Sequence, residues 1–122
     1  MTASIVSRPV RAGSRIVSTG SYRPARVITN DEVCTWIESS DEWIRERSGI
    51  VERRWAAPDE SVVDMAEAAA LKAVAASGIA PSDIDMVLVA TVSHPYQTPS
   101  AAAELGERIG AHGAAALDVA AA

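Results

Sequence analysis

Phenylalanine is absent from this sequence, and only 4% of its 122 residues are aromatic. The core must therefore be built from Ala, Val, Ile and Leu, which suits close packing of helices on a sheet. There is one cysteine, Cys34, which excludes an internal disulfide and is typical of a protein in the reducing cytoplasm. Its neighbours Val33 and Trp36 are apolar, so we expect a small buried side chain rather than a reactive thiol.

A basic excess and a long apolar run are also missing. The sequence has 11 Lys and Arg residues against 16 Asp and Glu, a net charge of −5, whereas nucleic-acid-binding domains are usually basic. No segment approaches the ~20 apolar residues of a membrane span, and no apolar stretch typical of a secretory signal follows the first arginines. We therefore expect a cytoplasmic protein without a nucleic-acid or membrane partner, and we interpret residues 1–13 as a mobile leader.

An α/β pattern occupies the second half of the sequence. Helix, apolar strand, helix and apolar strand alternate over residues 62–119, as in a sheet buried between helices. The first helix begins at Ser61 and ends at Gly78, and a strand over 84–92 follows it. The second helix is capped by Thr98, has Pro99 at its first position and ends at Gly110. The last strand lies within 114–119.

Shorter elements are predicted in the first half. Alternation of polar and β-branched residues over 14–19 predicts a strand that ends at Gly20. Residues 27–28 are predicted to be extended, and a helix capped by Asn30 is predicted over 31–37. A capping box at 39–42 predicts the start of another helix, which ends at Gly49 and is followed by an extended segment at 50–55.

Ser39, Trp43 and Arg47 are spaced by four, which places them along one face of the helix that ends at Gly49. An indole beside a guanidinium suits an adenine ring and a neighbouring phosphate, because the ring stacks and the cation pairs with the anion. The alternative is that Trp43 packs on the domain and Arg47 merely covers it.

Other candidate groups in the sequence carry weaker signals. There is no phosphate-binding GxGxxG or P-loop and no cluster of metal ligands, so we predict no metal site. His94 has no identifiable acid–base partner and is interpreted as structural or pocket-lining, whereas His112 is expected at the surface. Asp118 lies in an apolar strand, where we expect its carboxylate to accept hydrogen bonds from the backbone.

Seven short motifs occur in order along the sequence: Gly20–Pro24, Thr29–Asn30, Ser39–Ile50, Arg54–Ala57, Ala90–Ser93, Gln97–Ala102 and Leu117–Ala122. Together they resemble the β-ketoacyl-acyl-carrier-protein synthase III family, and actinobacterial members in particular. Enzymes of this family have the thiolase fold and start fatty-acid synthesis.

The resemblance implies a layered αβαβα thiolase-like fold, with residues 14–122 forming part of its N-terminal half. In the family, a strand with an aspartate and small residues runs into the nucleophilic cysteine, which would be the residue after Ala122. The family's catalytic histidine and asparagine lie farther on. We therefore expect no catalytic residue within this sequence, and we interpret it as an incomplete N-terminal portion.

The resemblance also assigns binding residues. Trp43 and Arg47 correspond to family residues that contact the adenine end of coenzyme A, and Ser39 takes the place of a hydroxyl residue there. Gln97 and Thr98 match a segment that shapes the acyl pocket near the dimer interface.

The implied reaction is acyl transfer. An acyl-CoA primer acylates the cysteine, and the acyl group then condenses with malonyl-acyl carrier protein as carbon dioxide is lost, with no metal or redox cofactor. A homodimer is implied as well. Two alternatives remain open: a diverged member that transfers the acyl group to a hydroxyl or amine of a secondary metabolite, and a non-catalytic fragment.

Overall fold

A computed structural model describes residues 13–120. The predicted leader lies outside this range except for Gly13. The described elements are β1 (Arg26–Thr29), α1 (Asn30–Val33), α2 (Asp41–Ser48), β2 (Glu52–Trp55), α3 (Val62–Ser77), a 3₁₀ turn (Pro81–Asp83), β3 (Met86–Ala90), α4 (Ala101–Arg108) and β4 (Ala115–Val119).

The first part of the fold is an antiparallel pair, β1 with β2, that carries α1 and α2 between its strands. Ile28 pairs with Arg53 and is completely buried. The predicted cap of α1 was wrong by one residue, because the Thr29 hydroxyl accepts the hydrogen bond from the Glu32 N–H. Asn30 is instead the first helical residue and is buried.

The helix α2 also begins one residue later than predicted. Ser40, not Ser39, caps it, and the Ser40 hydroxyl accepts from the Trp43 N–H at 3.2 Å. Its predicted end was confirmed: Gly49 adopts φ +71°, the left-handed conformation that glycine tolerates best after a helix. The one-residue shift leaves the Ser39 hydroxyl free of the capping role.

The second part is a parallel pair, β3 with β4, with α4 packed on both strands and α3 packed on α4. The predicted order of helix, strand, helix and strand over 62–119 was confirmed. The sheet is not buried between helices among residues 13–120, because Met86, Leu88 and Leu117 are each more than half exposed. The helix α3 begins after Ser61, as predicted, and the structure shows that Ser61 forms a capping box there with Asp64. The core between these elements is small and aliphatic, as the missing phenylalanine requires; it consists of Val63, Val87, Ala101, Ala102, Leu105, Ile109 and Ala111.

Arg108 connects α4 to α3 through hydrogen bonds. Its guanidinium, on α4, donates to the Asp64 carboxylate at 2.6 Å and to Glu67 at 3.1 Å, both on α3, and it also pairs with Glu104. The hydrogen bond from the Ser61 hydroxyl, and then that from Arg108, hold the pKa of the Asp64 carboxyl well below its usual range.

The predicted strand over 14–19 was wrong. The segment has no strand beside it among residues 13–120 and lies along α3 instead, where the Ser18 hydroxyl donates to the Ala73 carbonyl at 2.7 Å. Gly20 permits this approach, because a Cβ there would lie 2.1 Å from the Ala69 carbonyl oxygen. Ile16 is left 85% exposed.

The predicted start of α4 was also wrong. Ser100 caps the helix, with its hydroxyl accepting from the Ala103 N–H at 3.1 Å, and Thr98 lies before the helix, joined to Pro99 by a cis peptide bond. Ser100 is the better placed cap because Ala101 and Ala102, the two residues after it, donate their N–H groups to a neighbouring strand residue, Asp118.

Candidate functional site

Trp43 and Arg47 lie on the outer face of α2. The helix buries Ile44, so the neighbouring Trp43 points outward and 56% of its surface is exposed. The guanidinium carbon of Arg47 lies 5.9 Å from the centre of the indole, within the range of a cation–π contact. The predicted juxtaposition of ring and cation is present in the structure.

An open pocket of about 470 Å³ lies beside this ring. Its lining residues are Ile37, Glu38, Ser39, Ser40 and Trp43. The Ser39 hydroxyl oxygen is buried and has no hydrogen-bond partner among residues 13–120. A buried hydroxyl without a partner is costly, and a ligand reaches this one only if the Ser39 side chain turns toward the pocket.

The site thus combines a flat aromatic surface, a cation and an unpaired hydroxyl. The structure brings Ser39 and Trp43 into one pocket and holds Arg47 against the same ring.

A buried amide that sequence reasoning missed fixes α2 in place. Asn30 is 1% exposed; its Nδ2 donates to the Asp41 carboxylate at 2.7 Å and to the Ile50 carbonyl at 2.8 Å. Its Oδ1 accepts from the Arg53 guanidinium at 2.7 Å. Because Asp41 opens α2 and Ile50 follows its end, one side chain holds both ends of the helix that carries Trp43.

The two positive charges of α2, on Arg45 and Arg47, have different surroundings. Arg45 donates through Nε to both oxygens of the Asp41 carboxylate, at 2.8 and 2.6 Å. The hydrogen bond from Asn30, and then that from Arg45, lower the pKa of the Asp41 carboxyl. Arg47 makes no salt bridge within the described part of the chain, so its charge is available to an anion beside Trp43.

Gln97 and Thr98 lie apart from this pocket. Both are exposed, in the loop over residues 91–100 that connects β3 to α4, and neither lines the cavity beside Trp43. The residue after Ala122, where the resemblance puts the nucleophile, lies outside the described residues.

The other candidates were partly confirmed. Asp118 accepts two backbone hydrogen bonds, as predicted, and His112 is exposed, 2.9 Å from Glu107. His94 contacts the Pro99 carbonyl at 3.4 Å. Cys34 is half-buried rather than buried, because α1 ends at Val33 and leaves it in a turn.

A second aromatic cluster was not found from the sequence. Trp36 stacks on Trp55 at 5.0 Å between ring centres, and the Arg26 guanidinium lies 5.6 Å from the Trp55 ring. The pairing of Arg26 with Trp55 across β1 and β2 creates this contact. Only the register of the two strands could have revealed it. Among residues 13–120 no three potential metal ligands come together, and no helix is long and apolar enough to cross a bilayer.

No protein-family model matches this chain, but it is similar to several named proteins and solved structures. β-Ketoacyl-acyl-carrier-protein synthase III of Kocuria rhizophila is 51% identical over 120 residues, which cover 98% of this chain and 34% of that protein. The mycobacterial β-ketoacyl-acyl-carrier-protein synthase III of Mycolicibacterium paratuberculosis is 50% identical over 115 residues, 94% of this chain and 34% of that protein.

Solved structures agree with these relatives. The priming β-ketosynthase of the R1128 polyketide pathway superposes with a TM-score of 0.87 at 41% identity, over 95% of this chain and 35% of its own. The 3-oxoacyl-acyl-carrier-protein synthase III of Aquifex aeolicus superposes with a TM-score of 0.83 at 36% identity, over 89% of this chain and 35% of its own. The chain belongs to the β-ketoacyl-acyl-carrier-protein synthase III family.

The chain spans about a third of the length of the synthase III relatives that it matches, and it corresponds to an N-terminal portion of them. The predicted thiolase-type fold was confirmed by the superpositions with synthase III structures. Both relatives named above are actinobacterial, as the resemblance predicted.

Proposed function

We propose that this chain is part of an acyltransferase that condenses an acyl-CoA primer with malonyl-acyl carrier protein through an acyl-cysteine intermediate. The observation that carries the proposal is the exposed Trp43 ring with Arg47 against it, beside the pocket that contains the Ser39 hydroxyl. Relatives about 50% identical carry the name β-ketoacyl-acyl-carrier-protein synthase III, which supports the same reaction.

The pocket accounts for recognition of the coenzyme A end of the primer. The adenine ring stacks on the indole of Trp43, a contact worth about 1–3 kcal/mol for a base on an aromatic side chain. The Ser39 side chain turns toward the pocket, and its hydroxyl forms a hydrogen bond with a ring nitrogen and so gains the partner that it lacks among residues 13–120. Arg47 pairs with a phosphate, for which its planar guanidinium is well suited.

The covalent chemistry falls on a cysteine that we propose directly after Ala122. Its thiolate adds to the thioester carbonyl carbon, and collapse of the tetrahedral intermediate expels the coenzyme A thiolate, which takes up a proton. Malonyl-acyl carrier protein then loses carbon dioxide, and the electron pair left on carbon attacks the acyl-cysteine and displaces the thiolate. The cysteine thiolate supplies the first electron pair and is regenerated, and the malonyl group supplies the second, so no redox cofactor takes part.

The loop over residues 91–100 supplies the acyl pocket in this proposal. Gln97 and Thr98 lie in it, between the end of β3 and the start of α4, and both are exposed among the described residues. Val92 and Tyr96 in the same loop are each 66% exposed. Exposed apolar side chains of this kind are typical of an interface, which supports our proposal of a homodimer. We also propose a cytoplasmic enzyme, because its carrier-protein and coenzyme A substrates occur there.

The test uses the full-length protein incubated with labelled acyl-CoAs. We expect one acyl group on the peptide that follows Ala122 in intact and peptide mass spectra, and its loss as a β-ketoacyl product on addition of malonyl-acyl carrier protein. Absence of acylation by every primer tested contradicts the proposal. Transfer of the label to a hydroxyl or amine compound instead identifies the diverged family member.

A further inference from the structure

Two consecutive residues of β4 hold both ends of the loop over residues 91–100. The Val119 carbonyl accepts from the Thr91 N–H at 3.1 Å, where the loop leaves β3. The Asp118 carboxylate accepts from the Ala101 N–H at 2.8 Å and the Ala102 N–H at 2.7 Å, where the loop enters α4. The loop therefore closes back on the final residues of β4.

Only a carboxylate can make this contact in full. The first N–H groups of a helix have no partner within the helix, and two of them converge on the two oxygens of Asp118. A negative charge there also interacts favourably with the helix dipole, and charge-assisted hydrogen bonds are the stronger kind. Asparagine offers one acceptor oxygen and would turn an amide N–H toward a backbone donor.

The loop held in this way carries Gln97 and Thr98, which we place at the acyl pocket. Thr98 is three residues before Ala101, so a displacement of the start of α4 is passed on over a very short length of chain. The same strand, β4, leads toward the position that we propose for the nucleophile. The Asp118 side chain thus fixes the position of the acyl-pocket loop relative to the strand that we propose leads to the nucleophile.

We infer that Asp118 is a positioning residue that sets the acyl-pocket loop relative to the end of β4, and thereby determines which acyl chains reach the nucleophile. This inference rests on the proposed function. It predicts an effect on selectivity among primers rather than on binding of the coenzyme A handle, because the pocket beside Trp43 shares no lining residue with the loop.

The experiment compares Asp118→Asn with Asp64→Asn in the full-length protein. The control is matched, because Asp64 is also a carboxylate that accepts a backbone N–H at the start of a helix, α3, but it contacts Arg108 rather than the loop. The measured quantity is the ratio of kcat/KM for a short and a long acyl-CoA. A displacement of about 1 Å can change a rate up to about 100-fold. We expect Asp118→Asn to change the ratio about tenfold and Asp64→Asn to leave it within about twofold.

Two further readouts separate positioning from stability. Hydrogen exchange should become faster at the amides of Ala101 and Ala102 in Asp118→Asn only, while the Kd for coenzyme A stays unchanged. Asp118→Glu keeps both acceptor oxygens on a longer side chain, and we expect it to fold with an intermediate change of the ratio. It supplies the comparison if Asp118→Asn is not recovered folded.

Several outcomes overturn the inference. If the Asp118 variants reduce kcat/KM equally for both primers, the carboxylate is merely structural. An unchanged ratio together with unchanged amide exchange also rejects it. If the unsubstituted protein forms no acyl-enzyme with any acyl-CoA, the proposed function itself has failed. This failure can be told apart from failure of the inference, because hydrogen exchange of the Ala101 and Ala102 amides still reports on their contact with Asp118.

Discussion

The guanidinium of Arg47 lies over the Trp43 indole, 5.9 Å from its centre and one helical turn farther along α2. The ring is itself more than half exposed and lines the pocket beside it, so part of its surface remains open to a ligand. This pair is the basis of the first two predictions, because it separates a stacking contribution from a charge contribution within one helix.

Trp43→Ala should weaken binding of coenzyme A to the full-length protein by about 5-fold to 150-fold, because stacking of a base on an aromatic side chain is worth about 1–3 kcal/mol. Isothermal titration with coenzyme A measures the Kd. Trp36→Ala is the matched control: Trp36 is 53% exposed, but it stacks on Trp55 and does not line the pocket. Equal losses in the two variants would argue that tryptophan at position 43 serves stability alone.

Arg47→Ala should weaken the same interaction by a smaller factor that shrinks as salt is added, because ions screen an exposed pair. The control is Arg45→Ala, which removes a cation from the same helix that is already paired with Asp41. Titrations at low and high ionic strength measure the effect. A salt dependence that is identical in Arg47→Ala and the unsubstituted protein contradicts a phosphate contact at this residue.

Asn30→Ala should destabilise the protein by about 2–4 kcal/mol, because it removes three hydrogen bonds of a buried side chain that contribute about 1 kcal/mol each. The partners in these hydrogen bonds are Asp41, Ile50 and Arg53. Thr35→Ala removes one exposed hydroxyl from the turn after α1 and should cost less than about 0.5 kcal/mol. Denaturant unfolding measures both. Coenzyme A binding should weaken in Asn30→Ala as well, because α2 loses its fixed ends.

Features that depend on a few neighbouring residues could be predicted from the sequence. The capping box of Ser61 with Asp64 lies within four residues, and Gly49 ends α2 through its own backbone conformation. The juxtaposition of Trp43 with Arg47 follows from helical spacing alone. For these features the relevant partners lie within about one helical turn.

Features that depend on distant partners could not be predicted. The three contacts of Asn30 reach residues 11, 20 and 23 positions away. The choice of Ser100 over Thr98 as the cap of α4 depends on Asp118, which lies on a different element. The alternation over 14–19 fits a strand, but among the described residues no strand lies beside it.

Gly20→Ala tests how the segment over 14–19 docks on α3. The added Cβ would lie 2.1 Å from the Ala69 carbonyl oxygen and 2.6 Å from the Ala73 nitrogen, both backbone atoms of a helix that cannot shift aside locally. We expect a loss of more than about 2 kcal/mol in the free energy of unfolding, at the upper end of overpacking substitutions. Gly113→Ala is the control, because open space surrounds a Cβ there. If Gly20→Ala proved as stable as this control, the segment would not pack on α3.

Acid should loosen α2 through Asp41. The pKa of this carboxyl is lowered from its ordinary value of 3.8, first by the hydrogen bond from Asn30 and then by that from Arg45. A carboxyl whose pKa is lower in the folded state stabilises the protein fully above pH 3.8, and this contribution is lost as the pH falls below that value through the folded-state pKa. The free energy of unfolding, measured between pH 5 and pH 2, should therefore depend less on pH in Asp41→Asn than in the unsubstituted protein. The control is Glu46→Gln, which replaces an exposed carboxylate of the same helix and should leave this pH dependence unchanged. Parallel curves for Asp41→Asn and the unsubstituted protein would show that the ion pair at the start of α2 does not contribute to acid sensitivity.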